Sequence, residues 1–517
     1  MTAGTTAVAA RLDSAARVAR VVDGLPGAWG RAVRQRLGAL AEALEPGSGP
    51  ATADRVGRVE QALGSGDGPA AWLTLAVLTA ELPVVADVQR LQRAVRLDGA
   101  LPPLRSLLLR PRLGALLSRA EPAEVEVCSG VVVDLAHTAR TDLATGIQRV
   151  ARETVRRWDA DREVVLAGWT DGLTALRRLD PAERRRALTG RGGTLAAGER
   201  ASGAVLVPWR GTYVLPELAP ERERTLRLMA MARFAECRTG VVGLDCVPIS
   251  SAETTDANVS EAFAGYLAAL RHVDRVAGIS EAAAAEFRGW TRMLRAIGTA
   301  GPEVRAVPLP AERVAVTEGG LARARTRFLV ADLPMLLCVG TAEPRKNHLA
   351  LLHAAETAWR AGHRFSLSFV GGHSWSSERF VGRLAQLQAQ GRPVDSHRGV
   401  DDEELWGAYA LARAVVFPSL HEGFGLPVAE ALAVGTPVVT SAHGSMAELA
   451  EGGGALLVDP RDDGALARAL SAVVSDDTVH ERLRLQAVRR PERTWAAYAD
   501  ELWSCLVDGR TDRGSDA

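Results

Sequence analysis

Lysine is almost missing from this sequence of 517 residues. The chain has 62 basic residues, and because Lys346 is the only lysine, the other 61 are arginine. A GC-rich genome, which also favours alanine, is the simplest explanation of this imbalance. Lys346 lies in the stretch "TAEPRKNH" at 341–348. The first question is therefore whether this position needs a compact ammonium group instead of a planar guanidinium.

Cysteine is scarce, and neither sign of charge is in excess. The five cysteines are scattered along the chain, and none of them is in a Cys-x-x-Cys pair. We therefore expect no disulfide framework and no zinc site, and we predict a reducing, cytoplasmic location. The formal net charge is zero, so we expect no nucleic-acid partner.

Long apolar runs are missing as well. The most apolar window, 70–80, is too short to span a bilayer. Residues 1–20 contain arginines where a signal peptide needs an apolar core. The sequence predicts a soluble protein without a transmembrane segment, and it leaves peripheral contact with a membrane surface open.

The pattern of apolar residues changes along the chain, and the length predicts two or three domains. Helical spacing in residues 1–122 predicts an all-helical N-terminal extension. This extension could dock a partner, mediate self-association or pack on the next domain. Short apolar runs then alternate with helical patterns, which predicts an α/β fold. We expect two Rossmann-like domains facing each other across a cleft, at 123–311 and 312–490, and a C-terminal helix at 491–517 that crosses back to the first.

Two local predictions concern the first of these domains. The run "VEVCSGVVVDLA" at 125–136 is typical of a single strand. The run "VRAVPLP" at 304–310 indicates a connector.

The run "FPSLHEGFGLPVAEALAVGTPVVTS" carries the strongest functional pattern. Gly423 and Gly425 let the backbone approach a ligand closely, and the amides of the helix that follows attract an anion. Glu422 and Glu430 stand eight positions apart, and each can accept hydrogen bonds from vicinal hydroxyls of a ribose or hexose. Taken singly, the glycines could serve only the turn, and Glu430 could only complement the helix dipole. Their combination in this order favours a binding site.

This run resembles the EGFGLP-type E-x7-E signature of the retaining glycosyltransferases of family 4, which have the GT-B fold. The segments "VGTAEPRKNHLALLHAAE", "HRGVDDEELWGAYALARAVVFPS" and "AELAEGGGALLVDP" are similar to neighbouring parts of the same family. The resemblance covers about 125–505 and is densest in the second half. It implies that 312–490 binds the nucleotide-sugar donor and that 123–311 lies on the acceptor side.

The resemblance also implies roles for matched residues. Arg345 and Lys346 would contact the donor diphosphate, and Glu422 would hold the transferred sugar. The other implied donor contacts are Thr341, Gly399, Val400, Gly423, Phe424, Gly425, Leu426 and Glu430. Gly399 and Val400 match the pocket for the base, Glu430 matches the ligand of the ribose, and Thr341 stands where many relatives have arginine.

Physical chemistry agrees with the role implied for Lys346. A leaving nucleoside diphosphate gains negative charge as the glycosidic bond breaks, and a fixed cation stabilises that transition state. A crowded site that already holds Arg345 favours the smaller head group. Chance survival of one lysine is the alternative.

Two segments before residue 312 carry further candidates. "DLAHTARTDLATGIQRVARE" resembles the opening of a subset of the family, and it makes Gly146, Ile147 and Gln148 candidate contacts to the donor phosphate or the acceptor. "VVGLDCVPIS" aligns with a stretch in which relatives have histidine or tyrosine before the aspartate; this chain has Leu244 there. Asp245 could orient the acceptor hydroxyl or the donor sugar, or it could bond only to neighbouring backbone.

The resemblance thus implies a metal-independent, retaining hexosyltransferase. Its co-substrate would be a nucleotide diphosphate sugar, with a GDP-sugar and a mannosyl- or rhamnosyl-like hexose as the best match, and it would need no cofactor. An unidentified hydroxyl acceptor would belong to polysaccharide, glycoconjugate or glycosylated-metabolite synthesis. Asp401 and Asp402 are expected to cap a helix, not to bind a metal ion. Two alternatives remain open: a non-catalytic GT-B protein that binds a sugar nucleotide, and a GT-B sugar-nucleotide epimerase.

Overall fold

A computed structural model describes residues 15–47, 49–109, 122–141, 145–191, 203–372 and 377–509. The N-terminal part is helical, as predicted, with α1 (Gly27–Leu44), α2 (Thr52–Gly64), α3 (Gly68–Thr79), α4 (Val85–Asp98) and α5 (Leu101–Leu109). The apolar run at 70–80 forms most of α3, and nine of the 12 residues of this helix are buried. Across the described ranges, no helix is both long enough and apolar enough to cross a membrane.

The first α/β half, defined here as residues 123–311, contains a nine-stranded sheet. Its strands are β1 (Val125–Cys128), β2 (Val131–Asp134), β3 (Val164–Trp169), β4 (Leu176–Arg178), β5 (Val205–Pro208), β6 (Thr212–Leu215), β7 (Arg238–Gly243), β8 (Arg275–Gly278) and β9 (Glu303–Ala306). Their order is β1-β5-β4-β3-β2-β6-β7-β8-β9, and only β4 runs antiparallel to its neighbours. The helices of this half are α6 (Gly146–Asp161), α7 (Pro181–Thr189), α8 (Arg222–Phe234), α9 (Val247–Ser250), α10 (Ala257–Leu270) and α11 (Glu281–Ala296).

The structure corrects both local predictions for this half. The run at 125–136 is broken at Ser129 and Gly130, so β1 pairs with β5 while β2 pairs with β3 and β6. The β5–β6 stretch is broken at a matching place, where a Cβ on Gly211 would lie 2.4 Å from the carbonyl oxygen of Gly130. Two backbones that cross this closely leave no room for a side chain. The predicted connector at 304–310 contains most of strand β9, which pairs with β8 at the edge of the sheet.

The second α/β half, residues 312–490, contains a fully parallel sheet. Its six strands are β10 (Met335–Val339), β11 (Ser366–Val370), β12 (Val394–His397), β13 (Ala414–Phe417), β14 (Val438–Ser441) and β15 (Ala455–Val458), in the order β12-β11-β10-β13-β14-β15. The helices are α12 (Glu318–Phe328), α13 (His348–Arg360), α14 (Glu378–Ala389), α15 (Asp402–Leu411), α16 (Leu426–Ala433), α17 (Gly444–Ala450), α18 (Asp463–Ser475) and α19 (Asp477–Val488). The predicted class, two α/β halves after a helical region, is confirmed.

The last described helix packs on the first half. Helix α20 (Trp495–Trp503) continues into a π-helical turn (Ser504–Asp508). The indole Nε1 of Trp158 on α6 donates to the carbonyl oxygen of Ala499 over 2.9 Å, and the rings of Trp158 and Trp503 are 5.4 Å apart in an edge-to-face arrangement. The last helix is therefore anchored on α6.

The two halves touch at the carboxyl ends of their strands. Ser280 Oγ donates to the carbonyl oxygen of Gly423 over 2.6 Å. Glu448 on α17 accepts hydrogen bonds from the backbone amides of Glu281 and Ala282, each over 3.0 Å. A carboxylate of the second half thus caps helix α11 of the first half, which fixes how the two sheet edges face each other.

Candidate functional site

Lys346 ends the short 3₁₀ turn that follows β10. Its Nζ lies 2.6 Å from Glu422 Oε1 and 4.9 Å from the centre of the Phe417 ring. Its side-chain stem passes Gly340, at which a Cβ would come within 3.6 Å of Cε. The side chain is 13% exposed, so the ammonium group sits in a packed pocket between an aromatic face and a carboxylate.

Glu422 is held by two cations and a hydroxyl group. Arg345 reaches its Oε2 over 2.5 Å, and Ser419 Oγ donates to its Oε1 over 2.6 Å. Burial alone would raise the pKa of Glu422, but the charges of Lys346 and Arg345 outweigh burial and lower the pKa to about 2. Glu422 is therefore ionised at any physiological pH.

Arg345 is fixed from several sides. Its guanidinium also bonds Glu343 over 2.6 Å and donates to the carbonyl oxygen of His421 over 2.9 Å. Burial alone would lower the pKa of Arg345, yet the charges of Glu422 and Glu343 hold it above the usual value. Thr341 precedes this turn at an exposed position.

The glycine segment 423–426 leads from Glu422 into helix α16. Gly425 has φ +101°, a conformation that favours glycine, and it immediately precedes the helix. A Cβ on Gly423 would lie 2.1 Å from the carbonyl oxygen of Leu244, so this glycine allows the two halves to touch. Phe424 is buried in a core cluster shared by both halves, and Leu426 lies against Gly146 at the start of α6. Helices α6 and α16 thus begin close to each other, with their amide-rich ends in the same region.

Glu430, on the second turn of α16, is buried and has two partners. Tyr409 OH donates to its Oε2 over 2.7 Å, and Arg149 of the first half forms an ion pair with its Oε1. The guanidinium carbon of Arg149 also lies 5.9 Å from the centre of the Trp406 ring. Sequence reasoning missed Tyr409 and Arg149, although Arg149 is part of the quoted TGIQRV segment.

A cavity of about 370 Å³ adjoins this ion pair, between the halves and beside the last helix. Its walls include Arg149, Glu153, Trp406, Glu430 and Trp495. Glu153 already bonds Arg156 and Arg157 over 2.8 Å and 2.5 Å on the same helix.

The structure places the remaining predicted residues around the same sheet edges. Ile147 and Gln148 lie in the first turn of α6, where the side chain of Gln148 contacts that of Thr145. Gly399 and Val400 follow β12, and Gly399 has φ +63°. Because β11 and β10 lie between β12 and β13, these two residues are separated from Glu422 by the width of two strands.

Asp245 follows β7 and faces the cluster of Arg345 and Glu422. Burial raises the pKa of Asp245, and the charge of Arg345 opposes this shift. Its Oδ1 accepts a hydrogen bond from the backbone amide of Val247 over 3.1 Å. One carboxylate oxygen of Asp245 thus bonds to neighbouring backbone, which was the alternative to a role in the site. The charge of Arg345 in the other half also interacts with this carboxyl group.

His421, which precedes Glu422, was not singled out from the sequence, yet it bridges the two halves. Its Nδ1 lies 2.8 Å from Ser251 Oγ, and its Nε2 lies 2.8 Å from Glu286 Oε1. The hydrogen bond to Glu286 raises the pKa of His421 despite partial burial. Glu286 also accepts from the amide of Cys246 over 2.9 Å, which ties the same network to the segment that carries Asp245.

A buried charge network, also missed from the sequence, holds the segment that follows β2. Arg224 bonds Asp134 over 2.9 Å and Glu217 over 3.1 Å, and all three side chains are fully buried. Glu217 in turn accepts from the amides of His137 and Thr138 over 2.8 Å and 2.9 Å. The network therefore holds the backbone at His137 and Thr138, just after β2.

Asp401 has the predicted capping role before α15, whereas Asp402 is the first residue of that helix. Asp401 Oδ1 accepts from the amide of Glu404 over 2.8 Å, which is an N-cap hydrogen bond. Within the described ranges, no group of three or more His, Cys, Asp or Glu side chains is arranged to hold a metal ion.

Part of the second half matches a known protein family. Residues 325–490 match the family model of the glycosyl transferases group 1. This match covers about a third of the chain and contains Arg345, Lys346, Glu422 and Glu430. The serotype-specific mannosyltransferase WbdA of Escherichia coli is 29% identical over 233 residues, which is 44% of this chain and 28% of that protein.

Two further relatives match shorter stretches of the chain. The O-antigen chain mannosyltransferase B of E. coli is 35% identical over 146 residues, 28% of this chain and 38% of that protein. A D-inositol 3-phosphate glycosyltransferase of Nocardioides is 36% identical over 183 residues, 32% of this chain and 40% of that protein. The chain thus spans well under half of the length of these relatives.

Solved structures show the fold. The structure of Anabaena HepE in complex with UDP and glucose superposes with a TM-score of 0.51 at 14% identity, covering 73% of this chain and 99% of that chain. An α,α-trehalose-phosphate synthase (UDP-forming) from Burkholderia vietnamiensis superposes with a TM-score of 0.50 at 13% identity, covering 74% and 97%. The two α/β halves therefore have the GT-B fold.

Proposed function

We propose that this protein is a retaining, metal-independent glycosyltransferase that moves a hexose from a nucleotide diphosphate sugar to an acceptor hydroxyl. The observation that carries the proposal is the convergence of Lys346, Arg345 and Glu422 beside the glycine segment 423–426. These three residues and the glycine segment lie at the carboxyl ends of neighbouring parallel strands, where open α/β sheets bind ligands. The match of 325–490 to the glycosyl transferases group 1 supports the same reaction class.

Each group has a part in the proposed reaction. The donor diphosphate lies against Lys346, Arg345 and the amides at the start of α16, so that its growing negative charge is stabilised as the glycosidic bond breaks. Glu422, ionised and fixed, accepts hydrogen bonds from hydroxyls of the transferred sugar. The acceptor hydroxyl attacks from the face that the diphosphate leaves, and a phosphate oxygen takes its proton. No step requires a metal ion or a protein nucleophile.

The remaining residues define the nucleoside and acceptor ends. Glu430 accepts from the ribose hydroxyls, and Gly399 and Val400 lie beside the base. Asp245, across the cleft from Arg345, orients the acceptor or the transferred sugar. Gly146 to Gln148 and the start of α6 face the phosphate from the other half.

The best substrate proposal is a GDP-sugar with a mannosyl- or rhamnosyl-like hexose. Two of the relatives are named mannosyltransferases, and one is named for an O-antigen chain. The acceptor would accordingly belong to a polysaccharide, a glycoconjugate or a glycosylated metabolite. We propose that transfer takes place in the cytoplasm, where nucleotide sugars are supplied.

A binding panel followed by a transfer assay tests this function. The thermal stability of the full chain is measured with GDP, UDP, dTDP and ADP, because a ligand that binds only the folded state raises Tm. We expect GDP to give the largest increase, and GDP-mannose or GDP-rhamnose to support transfer without added metal and with retention at the anomeric carbon. Tight binding without turnover would indicate a non-catalytic sugar-nucleotide-binding protein. Release of an isomerised sugar would indicate an epimerase, and binding of none of the four would refute the proposed function.

A further inference from the structure

Arg149 is the point at which the first half reaches the carboxylate that we assign to the donor ribose. It lies on the first turn of α6, whereas Glu430 lies on α16 of the second half. The Glu430 side chain is 11% exposed, and its Oε1 is in an ion pair with the Arg149 guanidinium. The Glu430 charge raises the pKa of Arg149 against the effect of burial.

We propose that Arg149 is a donor-gating residue that competes with the ribose hydroxyls of the nucleotide sugar for Glu430. This inference rests on the proposed function, because it needs a ribose at Glu430. It adds a residue from the opposite half to the determinants of donor affinity, and it makes the Arg149–Glu430 pair a contact between the halves that donor binding breaks.

The partners of Glu430 show which of them has to yield. Tyr409 is fully buried, belongs to the same half as Glu430 and donates to Oε2 over 2.7 Å. A carboxylate has about four acceptor positions, so Tyr409 and two ribose hydroxyls can share it. The guanidinium on Oε1 is bulkier, and its side chain is 37% exposed, so it is the partner that can be displaced.

The cavity beside the pair gives the displaced guanidinium a place to go. Its volume of about 370 Å³ exceeds that of an arginine head group, and Glu153 and Trp406 contribute to its walls. The Arg149 guanidinium carbon already lies 5.9 Å from the centre of the Trp406 ring, whose face attracts a cation that has left Glu430. Rotation of one side chain therefore exposes Oε1 without moving the backbone.

The other contacts between the halves do not depend on this carboxylate. Glu448 caps α11, and Ser280 donates to Gly423, through atoms that the donor ribose does not need. The halves therefore stay together when the Arg149–Glu430 pair opens. The energetic consequence is confined to the donor site, where the broken ion pair subtracts from donor affinity.

Isothermal titration of the full chain with the best-binding nucleoside diphosphate, GDP as the first choice, tests the gate. We expect Arg149→Gln to bind GDP about five-fold more tightly than wild type at low salt, because a partly exposed ion pair of about 1 kcal/mol no longer competes. The gain should shrink with 2′-deoxy-GDP and vanish with inorganic pyrophosphate, which has no ribose. Arg162→Gln is the matched control and should bind GDP like wild type, because Arg162 has a similar exposure, pairs with Asp500 and lies over an aromatic ring, but is not part of the cavity.

The outcomes separate the gate from the function. If wild type binds GDP and Arg149→Gln binds GDP or pyrophosphate more weakly, Arg149 is a donor ligand and the gate is refuted, while the proposed function stands. If wild type binds no nucleoside diphosphate, both are refuted. If Arg149→Gln does not fold, wild type gives the test: uncharged guanosine should bind more tightly as salt rises, because screening weakens only the competing ion pair. Unchanged or weaker guanosine binding would refute the gate.

Discussion

Lys346 donates to Glu422 over 2.6 Å, and this ion pair joins the connection after β10 to the connection after β13. The two strands are neighbours in the second sheet, so their carboxyl ends open onto the same place. Phe417 and Gly340 line the stem of the lysine, and Arg345 occupies the other oxygen of the glutamate. The one lysine of the chain thus lies where there is room for a thin side chain and a small charged head.

Replacing Lys346 by arginine should abolish most transfer while leaving the fold intact. The broader guanidinium does not fit between the Phe417 ring and Glu422 beside a second guanidinium, so the charge moves away from the leaving diphosphate. We expect a loss of about 100-fold in turnover, as for removal of one fixed charge-stabilising group. Turnover is measured with the donor that the binding panel identifies.

Thermal unfolding of Lys346→Arg is the control, and its Tm should stay close to that of wild type. Turnover at the wild-type rate would mean that any cation suffices at position 346. Chance survival would then explain the single lysine.

Adding one methyl group at Gly423 should separate the two halves. The new Cβ would lie 2.1 Å from the carbonyl oxygen of Leu244, a distance at which backbone has to move. Because Glu422 precedes this residue, its carboxylate moves relative to Asp245 in the facing half. We expect Gly423→Ala to lower kcat/KM at least about 10-fold, since small displacements of positioned groups are costly.

Gly382→Ala is the matched control, because a Cβ there meets nothing within 4 Å. It should keep wild-type kinetics. If Gly423→Ala also did, the contact with Leu244 would not set the geometry of the site.

The second half and the core of the candidate site could be predicted from the sequence because both depend on local patterns. Strands buried on both faces give short continuous apolar runs, and Gly or Pro marks their ends. Glu422 and Glu430 lie within one strand–loop–helix connection, so their proximity follows from local spacing. The carboxyl ends of β10 and β13 then bring Lys346 to Glu422 because the strands are parallel neighbours.

What could not be predicted depends on contacts distant in sequence. Arg149 and Glu430 are 281 positions apart, and nothing local to either indicates the other. Charged side chains normally lie on the surface, yet Asp134, Glu217 and Arg224 are buried. Their mutual pairing offsets the cost of burial, and this pairing is not visible in the sequence. The bend between β1 and β2 is likewise set by a crossing backbone at Gly211.

His348 should make the free energy of unfolding depend on pH in the mildly acidic range. Its ring is 4% exposed and packs against Phe369 and Phe380, with centroids 5.2 Å and 5.3 Å away. Burial, helped by the charge of Lys346, lowers the pKa of His348 from 6.5 to about 3. A lowered pKa means that the unfolded chain binds the proton more readily than the folded one. The stability contribution is therefore complete above pH 6.5 and is lost as pH falls towards 3, by about 2 kcal/mol at pH 5.

The comparison of wild type with His348→Phe isolates this effect. Between pH 7 and 5 the free energy of unfolding should fall less in the variant, because phenylalanine takes up no proton. His353→Phe, on the exposed side of the same helix, controls for the loss of a histidine as such. Parallel pH profiles in wild type and His348→Phe would show that the ring is protonated in the folded state without strain.

The helical N-terminal region should prove inseparable from the first half. Trp72 on α3 stacks on Trp209 with ring centroids 6.4 Å apart, and Trp209 Nε1 donates to the carbonyl oxygen of Ala43 over 3.1 Å. Gln35 also bonds both backbone groups of Val125, over 2.7 Å and 3.1 Å, at the start of β1. Because the helices and this sheet share one hydrophobic core, a chain that starts at residue 122 should be insoluble.

Trp72→Ala should lower the free energy of unfolding by about 3–5 kcal/mol, measured by denaturant titration. Leu97→Ala, on a 76% exposed side chain of α4, should change it by no more than about 0.5 kcal/mol. A soluble chain from residue 122 with wild-type transfer would show instead that the helices are a separate module without a part in folding or catalysis.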